Sequence, residues 1–412
     1  MTKPLSNSAR RDALPGFGPR RPQALRVIWV LSGQESGGVR TAVLNLMQGI
    51  GNLGWTPLAV ALASGPFVLE LRKHGLACDC LNLPAPIALR GTLPKKLLQY
   101  YRLRDYQRRA SETLAAYLTD ARPDAVHVLW PNLMPIAAKA AWRNALPCFW
   151  EMPNVIGRYP LAVNRRIMQW QLAKYRVVVL ANSQFTADSL GSKPVKPIIM
   201  HLGADEARFN PDSVQPISRV ELGVPEDAVV IGMFGRVSGD RSQLEALEAF
   251  HALQQSMHDN LHLLVAGWPD APYVQRLRAY AQEKNLGPRL HLLGPVNDIE
   301  RYYGPVDLLL NAYQGAESFG LAAVEAMMMA KPVLTHAAGG PAETVIDGVT
   351  GWHLPRVDSV ALSAGIRRAL ADRPRWSAIG AAGREHAKAR FTVAAQSRLY
   401  IAVLQGACIG AK

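Results

Sequence analysis

Residues 306–313 (VDLLLNAY) limit the fold most strongly, because an apolar run without regular polar alternation is typical of a parallel strand buried on both faces. Residues 321–330 are rich in Ala, Met, Leu and Glu, which are strong helix formers. Glu317 and Gly320 lie in the short segment between these elements. The sequence therefore predicts a strand, a loop and a helix of an α/β fold, and the unpaired N–H groups at the helix start favour a phosphate ligand.

Similar apolar runs recur along the chain and alternate with helical stretches, which is typical of doubly wound βαβ domains. A length of 412 residues exceeds one ordinary core and fits two such domains. The predicted strands are residues 24–32, 56–63, 125–130, 147–152, 177–181, 197–202, 229–236, 262–267, 289–294 and 306–313. The predicted organisation is a disordered basic arm at 1–22, a first domain at 23–205, a second domain at 206–390 and a terminal helix at 391–412.

The composition is that of a soluble protein, with apolar residues at 49%. No apolar run reaches the roughly 18–20 residues of a membrane-spanning helix, and the N-terminus lacks the apolar segment of a signal peptide. We therefore expect a cytoplasmic protein. Cys78-Asp79-Cys80 resembles half a metal site, but no second Cys/His pair is placed to complete it, so we expect these cysteines to pack in a strand.

The positive charge is concentrated in the first half of the chain. Residues 1–205 contain 26 Lys and Arg against 11 Asp and Glu, whereas residues 206–412 contain 20 against 21. No helix-turn-helix, zinc-finger or aromatic RNA-binding motif accompanies this charge, so nucleic acid is not an expected partner. An anionic membrane surface or a lipid pyrophosphate fits better, since each basic residue near such a surface contributes about 1 kcal/mol.

Residues 94–119 predict a helix that carries basic side chains beside Tyr and Leu. This mixture is typical of helices at a membrane interface, and a solvated face over an ordinary core is the alternative. The basic residues are Lys95, Lys96, Arg102, Arg104, Arg108 and Arg109.

Glu317 and Glu325 are eight positions apart. At the helical rise per residue their backbones would be about 12 Å apart, which exceeds the ~5–5.5 Å between the carboxylates of a retaining glycosidase. The pair is therefore predicted to contact two ends of an extended ligand, such as a sugar, a diphosphate over the Gly320 amide, and a ribose. The alternative is a helix with two ordinary glutamates.

The string ESFGLAAVEAM at 317–327 resembles the E-x7-E signature of the family 4 retaining glycosyltransferases. The strings KPV at 331–333, GGPAE at 339–343 and DGVTG at 347–351 follow in the order and spacing of that family. The resemblance is strong over 229–371 and continues more weakly before it. It implies the GT-B fold, in which two Rossmann-like doubly wound domains face a cleft and a C-terminal helix crosses back to the first domain.

By this resemblance, the second domain binds a nucleotide-diphosphate sugar donor, and the first binds a saccharide or lipid-linked saccharide acceptor. The enzyme would transfer a hexosyl group with retention of anomeric configuration. Glu317 would orient the donor sugar, while Arg236 and Arg241 would stabilise the charge that grows on the diphosphate. The family commonly has lysine where this chain has Arg241, and the two cations are not equivalent at a phosphate. Surface arginines without a ligand are the alternative.

The resemblance also implies donor-binding positions. The glycine pair Gly37 and Gly38 follows the first predicted strand and precedes the first predicted helix, where backbone can approach the donor phosphates. A simple tight turn is the alternative, and the G-x-G-x-x-G nicotinamide fingerprint is absent. Glu325 would hold the ribose hydroxyls. The remaining implied donor contacts are the main-chain amides of Phe319, Gly320 and Leu321.

No Asp-x-Asp occurs in the sequence, so a metal-bridged diphosphate is not expected and arginines would neutralise the leaving group instead. We therefore predict neither a metal nor another cofactor. His127 is a tentative site residue, with a buried structural role as the alternative. Family members commonly have a further histidine near the donor sugar where this chain has Leu129.

The process implied by the resemblance is assembly of a cell-surface polysaccharide or lipopolysaccharide, with the enzyme held peripherally at the cytoplasmic face of the inner membrane. A non-catalytic nucleotide-sugar-binding partner subunit is an alternative, which the missing cleft histidines favour. A nucleotide-sugar epimerase would need acid and base residues that the sequence does not place together. A phosphorylase would need a cofactor lysine site.

Overall fold

The computed structural model describes residues 25–84, 93–157, 163–254 and 260–409. The predicted basic arm at 1–22 lies outside the described residues, as does the end of the predicted terminal segment at 410–412. Two parallel sheets with helices on both faces make up the described chain.

Seven parallel strands form the first sheet in the described residues, in the order β3-β2-β1-β4-β5-β6-β7. The strands are β1 Arg26–Leu31, β2 Thr56–Ala61, β3 Ala77–Cys80, β4 Ala125–Val128, β5 Cys148–Met152, β6 Val178–Ala181 and β7 Ile198–Ile199. The helices between them are α1 Gly37–Asn52, α2 Pro66–Lys73, α3 Leu93–Ala121, α4 Met134–Arg143, α5 Val163–Lys174 and α6 Gln184–Leu190.

The second sheet has six parallel strands in the described residues, in the order β10-β9-β8-β11-β12-β13. The strands are β8 Val229–Phe234, β9 Leu261–Ala266, β10 Leu290–Gly294, β11 Leu308–Asn311, β12 Val333–His336 and β13 Gly351–Leu354. The helices are α7 Gln243–Gln254, α8 Ala271–Glu283, α9 Ile299–Tyr302, α10 Leu321–Met328, α11 Pro341–Thr344, α12 Ser359–Ala371, α13 Trp376–Arg390 and α14 Val393–Ile409.

Strand β1 shows why the strands are apolar throughout rather than alternating. Val27, Trp29 and Leu31 pack in the core that contains α1 and α14. Ile28 and Val30 point to the opposite face and pack in the core that contains α3 and α4. Both faces of the sheet are therefore covered, which confirms the doubly wound α/β prediction.

Helix α14 crosses back to the first domain, as predicted. Tyr400 and Leu404 are fully buried in the first-domain core beside α1. The main-chain N–H of Ala204 donates to Phe391 O at 2.8 Å, and that of Val393 donates to Ala204 O at 3.1 Å. These two hydrogen bonds join the end of the first domain to the start of the returning helix.

Helix α3 confirms the predicted helix at 94–119. Its buried face includes Tyr106, Leu114 and Leu118, while Arg102 is exposed. None of the helices in the described ranges has both the length and the apolar character to cross a membrane.

Two predicted elements differ from the structure. Strand β7 is shorter than the predicted 197–202, because the chain leaves the sheet and Leu202 packs in a cluster of the second domain. Helix α1 starts earlier than the glycine loop implied, since Ser36 is extended and Gly37 already belongs to the helix. The glycine pair therefore forms the first helical turn.

The cysteines of β3 pack as predicted. Cys78 is buried, and burial raises the pKa of its thiol to about 12. The Cys80 thiol donates to Asn82 Oδ1 at 3.2 Å. Across the described ranges, no group of three His, Cys, Asp or Glu side chains is arranged to hold a metal ion.

Replacing Gly49 by alanine should weaken the contact between α1 and α14. A Cβ there would lie 2.1 Å from Ser397 Oγ and 2.6 Å from Val393 Cγ1, so the helices would have to separate. We expect a loss of about 1–3 kcal/mol in the free energy of unfolding, measured by urea denaturation. Gly51→Ala is the matched control, because its Cβ would lie no closer than 3.8 Å to Pro57, and it should be neutral or stabilising. Equal effects of the two substitutions would contradict this packing.

Candidate active site

Three loops meet at the carboxyl ends of β8, β11 and β12, as the parallel pairing of these strands requires. Strand β8 is followed by Arg236 and a short 3-10 helix, Gly239–Arg241. Strand β11 leads to Glu317, and β12 leads to Gly339. The fold therefore brings together residues that are about 100 positions apart in the chain.

Glu317 is held by two side chains. Arg241 Nη1 donates to its Oε1 at 2.8 Å, and Asn311 Nδ2 donates to its Oε2 at 2.9 Å. The side chains of Arg241 and Glu317 are only 25% and 16% exposed, so solvent screens this ion pair less than a surface pair. The Arg241 guanidinium also lies 4.8 Å from the centre of the Tyr313 ring. A carboxylate can accept about four hydrogen bonds, so Glu317 retains acceptor capacity for a ligand hydroxyl.

The position of Glu317 depends on close packing between two loops. The main-chain N–H of Gly340 donates to Glu317 O at 2.8 Å, and Glu317 forms a parallel bridge with Gly339. Gly339 has φ +83°, and a Cβ there would lie 2.2 Å from Glu317 O. Only glycine fits at this position, so the GGP segment fixes the backbone that presents the Glu317 carboxylate.

The predicted helix start is confirmed at α10, which begins with Leu321. Gly320 precedes it with φ +86°, and a Cβ would lie 2.9 Å from Pro341 Cγ. The Phe319 side chain is buried, with its ring 5.8 Å from that of Phe391. This places the main-chain amides of the segment at the start of a helix, whose first-turn N–H groups have no intrahelical acceptor.

The two predicted arginines have different environments. Arg236 Nη2 donates to Asp240 Oδ2 at 3.0 Å, and the side chains are 60% and 38% exposed. An exposed pair of this kind contributes about 0–1 kcal/mol, so Arg236 can turn to another anion at little cost. Burial alone would raise the pKa of Asp240, but the hydrogen bond from Ser238 and the guanidinium groups of Arg236 and Arg241 lower it overall. Arg236 does not bind Glu317.

Several polar atoms beside Arg241 are buried without a hydrogen-bond partner in the described residues. Arg241 Nε and Ser242 Oγ are two of them. Ser242 is fully buried with φ +59°. Buried polar groups are rarely left unpaired, so this segment is suited to a polar ligand.

Glu325 lies in a separate cluster from Glu317. Tyr303 Oη donates to Glu325 Oε2 and to Ala322 O, each at 3.2 Å. Burial raises the pKa of the Glu325 carboxyl to about 7, although Arg208 and the Tyr303 hydroxyl act in the opposite direction. The two glutamates of the predicted pair therefore have distinct partners.

Gly37 and Gly38 are exposed at the start of the 16-residue helix α1, and a Cβ at either would meet no atom within 4 Å. The preceding loop is held by the buried Glu35, which accepts hydrogen bonds from the N–H of Gly33 at 3.0 Å and from Trp130 Nε1 at 3.0 Å. The helix start is therefore open, and the loop behind it is fixed by a carboxylate.

The His127 side chain lies in the core of the first domain, not at an open surface. It is fully buried, with Nδ1 2.8 Å from Tyr400 Oη and Nε2 3.2 Å from Glu151 Oε2. Its ring also packs 5.0 Å from that of Trp29. This position fits the structural alternative better than the tentative site assignment, because Nδ1 faces Tyr400 of α14 and Nε2 faces Glu151 of β5 inside the core.

The second domain is joined to the first beside this site. Glu343 of α11 accepts hydrogen bonds from the main-chain N–H groups of Gln184 and Phe185, each at 2.8 Å. Ser183, the N-cap of α6, donates to Ser318 O at 2.6 Å. The loop that carries Glu317 is thus tied to a first-domain helix.

Sequence reasoning missed Asn311, Tyr313 and Glu343 as partners in the site. A polar residue that ends an apolar strand, as Asn311 does in LLLN, is a usable signal for the carboxyl end of a parallel sheet. The partner of Glu343 is about 160 positions away, and no local pattern indicates it.

Two family models match this chain. Residues 37–202 match the glycosyl transferase 4-like domain, and residues 214–386 match the glycosyl transferases group 1 domain. The chain is a GT-B protein with two glycosyltransferase-type domains.

Known proteins resemble this GT-B chain over parts of its length. It is 34% identical to the lipopolysaccharide 1,2-N-acetylglucosaminetransferase of Salmonella typhimurium over 38% of this chain and 43% of that protein. It is 33% identical to the D-inositol 3-phosphate glycosyltransferase of Geodermatophilus obscurus over 49% of this chain and 46% of that protein. The chain spans about half the length of the curated relatives it matches. The Anabaena protein HepE, solved with UDP and glucose, has a TM-score of 0.75 at 20% identity over 93% of this chain and 100% of that one.

Glu343→Gln should loosen the link between the domains. Burial alone would raise the pKa of Glu343, but the His201 ring 3.9 Å away and the hydrogen bonds from the N–H groups of Phe185 and Gln184 lower it, so the carboxylate is the form bound. The glutamine amide would place a donor against a main-chain N–H, and we expect a loss of about 1–3 kcal/mol in the free energy of unfolding. Urea denaturation measures the loss, and small-angle scattering should show a larger radius of gyration. Glu283→Gln, on a side chain 68% exposed, is the control. An unchanged midpoint for Glu343→Gln would exclude the link.

Glu325 should make stability depend on pH. The unfolded carboxyl titrates near 4.5 and the folded one near 7, so the folded chain holds an extra proton between these values. The free energy of unfolding contributed by this group is therefore highest below 4.5 and falls as the pH rises to about 7. Glu325→Gln removes this titration. As the pH rises from 4.5 to about 7, the urea midpoint of the wild type should therefore fall relative to that of the variant. The exposed Glu385→Gln is the control, and parallel pH profiles for wild type and Glu325→Gln would contradict the assignment.

Proposed function

We propose that this protein is a retaining glycosyltransferase that moves a hexosyl group from a nucleotide-diphosphate sugar to a saccharide or lipid-linked saccharide acceptor. The observation that carries the proposal is the partly buried Arg241–Glu317 pair beside the start of α10. It places a cation, a carboxylate and free helix-start amides at the carboxyl ends of one parallel sheet, where α/β proteins bind ligands. The matches to two glycosyltransferase domains support it.

In this proposal, Arg241 and Arg236 stabilise the negative charge that grows on the diphosphate as the glycosidic bond breaks. Arg241 can donate to the diphosphate through Nη2 while Nη1 stays on Glu317. Arg236 can leave its exposed partner Asp240 and bind the same diphosphate. Since guanidinium groups bind phosphate through two parallel hydrogen bonds, two arginines can neutralise the leaving group without a metal.

The other predicted residues have binding roles in this proposal. Glu317 orients the sugar through its hydroxyls, and Glu325 holds the ribose, which a protonated carboxyl can do as donor and acceptor. The exposed amides at the start of α1 approach the donor phosphates from the first domain. The positions assigned to the donor on this basis are Gly37, Gly38, Phe319, Gly320 and Leu321.

We further propose that the acceptor is anionic and that the process is cell-surface polysaccharide or lipopolysaccharide assembly. The first half of the chain holds the excess of basic residues, which supports an anionic acceptor or membrane surface at the cytoplasmic face of the inner membrane. The lipopolysaccharide activity named for the Salmonella relative supports the process. A non-catalytic nucleotide-sugar-binding subunit is the second candidate, which the burial of His127 in the first-domain core supports.

Glu317→Ala and Arg241→Ala should each lower nucleoside diphosphate release by about 100-fold or more, as expected for loss of a group that stabilises the transition state. The assay uses a panel of UDP-, GDP- and ADP-sugars in EDTA, with and without a membrane lipid extract. Arg278→Ala, on an exposed position of α8, is the control and should leave release unchanged.

The same assay separates the two candidates. Release from one donor in EDTA, lost in both variants, supports the metal-free transferase. A donor that binds but is not turned over with any extract supports the non-catalytic subunit and contradicts the transferase.

A further inference from the structure

A groove of about 390 Å³ lies on the outer surface of the first domain, between helices α3, α4 and α5. Its volume is in the range of small-molecule sites. Four cations line it against one carboxylate, Asp105, so it carries a net positive charge. The basic lining residues are Arg104, Arg108, Lys139 and Lys174.

The cations of the groove lack a matching set of anions. Arg108 is paired with Asp105 and with Glu112, and Asp105 also accepts a hydrogen bond from Arg109 outside the groove. Within the described part of the chain, no carboxylate lies within ion-pair distance of Arg104, Lys139 or Lys174. Burial lowers the pKa of Lys139, and Arg143 lowers it further; Glu112 acts in the opposite direction, and Arg108 and Arg104 make smaller contributions that lower it. An anionic ligand would relieve this repulsion.

One wall of the groove is aromatic. Trp170 is 57% exposed, and Lys174 Nζ lies 4.7 Å from the centre of its ring. Lys174 Nζ also lies 5.6 Å from the ring of Tyr175, which packs edge-on against Trp142. The aromatic rings hold the ammonium group beside the cavity by cation–π contacts and leave its charge unneutralised.

The groove extends along α4, which begins just after β4. In a parallel sheet the start of such a helix lies at the carboxyl edge, and Pro135 in the first turn of α4 lines the groove. The carboxyl edge of the first sheet is also where Gly37 starts α1. A ligand in the groove can therefore extend toward the same edge of the domain as the proposed donor contacts.

We propose that this groove binds the phosphate or diphosphate group of the acceptor. The inference rests on the proposed function for its choice of ligand, and on the groove for its position. Its concave shape and its cations without a carboxylate partner, Arg104, Lys139 and Lys174, fit a compact multivalent anion, since the Arg104 guanidinium can bind two phosphate oxygens and the ammonium groups can bind others. The phosphate could belong to a lipid carrier or to a soluble phosphorylated saccharide, and the two sources share this chemistry.

The test measures binding of inorganic pyrophosphate by titration calorimetry. All proteins are full-length and carry Arg236→Ala and Arg241→Ala, so that the proposed donor site does not contribute to the measured affinity. Lys139→Gln and Arg104→Gln should each weaken binding about tenfold or more, since each removes a charge-assisted hydrogen bond. Arg102→Gln is the matched control, because it makes the same change on the same helix at an exposed position outside the groove. It should change affinity less than about twofold.

A second arm identifies the source of the phosphate. Flotation uses phosphatidylcholine vesicles with and without a polyprenyl diphosphate, and free pyrophosphate as competitor. A lipid-linked ligand at the groove is supported if the protein binds the vesicles that contain polyprenyl diphosphate, if free pyrophosphate displaces it, and if the Lys139→Gln variant does not bind them. Binding of pyrophosphate without vesicle binding supports a soluble phosphorylated ligand.

Two results would overturn the groove site. One is the absence of pyrophosphate binding in folded protein, and the other is an equal loss of affinity in Arg102→Gln and Arg104→Gln, which would indicate diffuse surface charge. Neither result depends on donor turnover, so failure of the groove and failure of the transferase proposal are distinguishable. Tryptophan fluorescence gives an independent check. A change on titration with pyrophosphate that is absent in Trp170→Phe would place the anion beside the aromatic wall.

Discussion

The packing of the loop at 317–320 against the loop at 339–341 is the constraint on which the site depends. A side chain at Gly339 would overlap the main chain of Glu317, so these loops meet backbone to backbone. The same loops carry the two links to the first domain, at Ser318 and Glu343. The backbone that orients the Glu317 carboxylate therefore also sets how the domains are joined, and a shift in one loop would be transmitted to the other.

The two glutamates of the site have different environments. Glu317 accepts hydrogen bonds from a guanidinium and an amide. Glu325 is half-buried beside Tyr303, and desolvation raises its pKa to about 7. A carboxyl group that binds Arg241 and a carboxyl group with a raised pKa beside Tyr303 suit different parts of a ligand. This separation supports an extended ligand better than joint attack on one bond.

The fold could be predicted from the sequence because each strand is a continuous apolar run and each helix has a local start. The apolar run at 306–313 predicted β11. The strong helix formers after Gly320 predicted α10, whose observed end lies two residues before the predicted one. The family resemblance also implied that Arg241 and Glu317 belong to one site, and the structure joins them in an ion pair. The sequence could not place His127, because whether a strand residue points to a cleft or to a core depends on what covers that face. Here α14 covers it, and α14 arrives from more than 250 positions away.

The arginine at 241 explains how one side chain can serve both the apo site and a ligand. Its planar group lies over the Tyr313 ring and donates through Nη1 to Glu317, while the buried Nε has no acceptor in the described residues. A lysine would present its three donors from one point, whereas the guanidinium offers donors at separate atoms of a plane, so Nη2 is left beside the ring contact and the hydrogen bond to Glu317. In the proposed function, a diphosphate would bind Nη2 without breaking the ion pair that holds Glu317. The departure from lysine at this position is therefore consistent with a site whose carboxylate is oriented before the donor arrives.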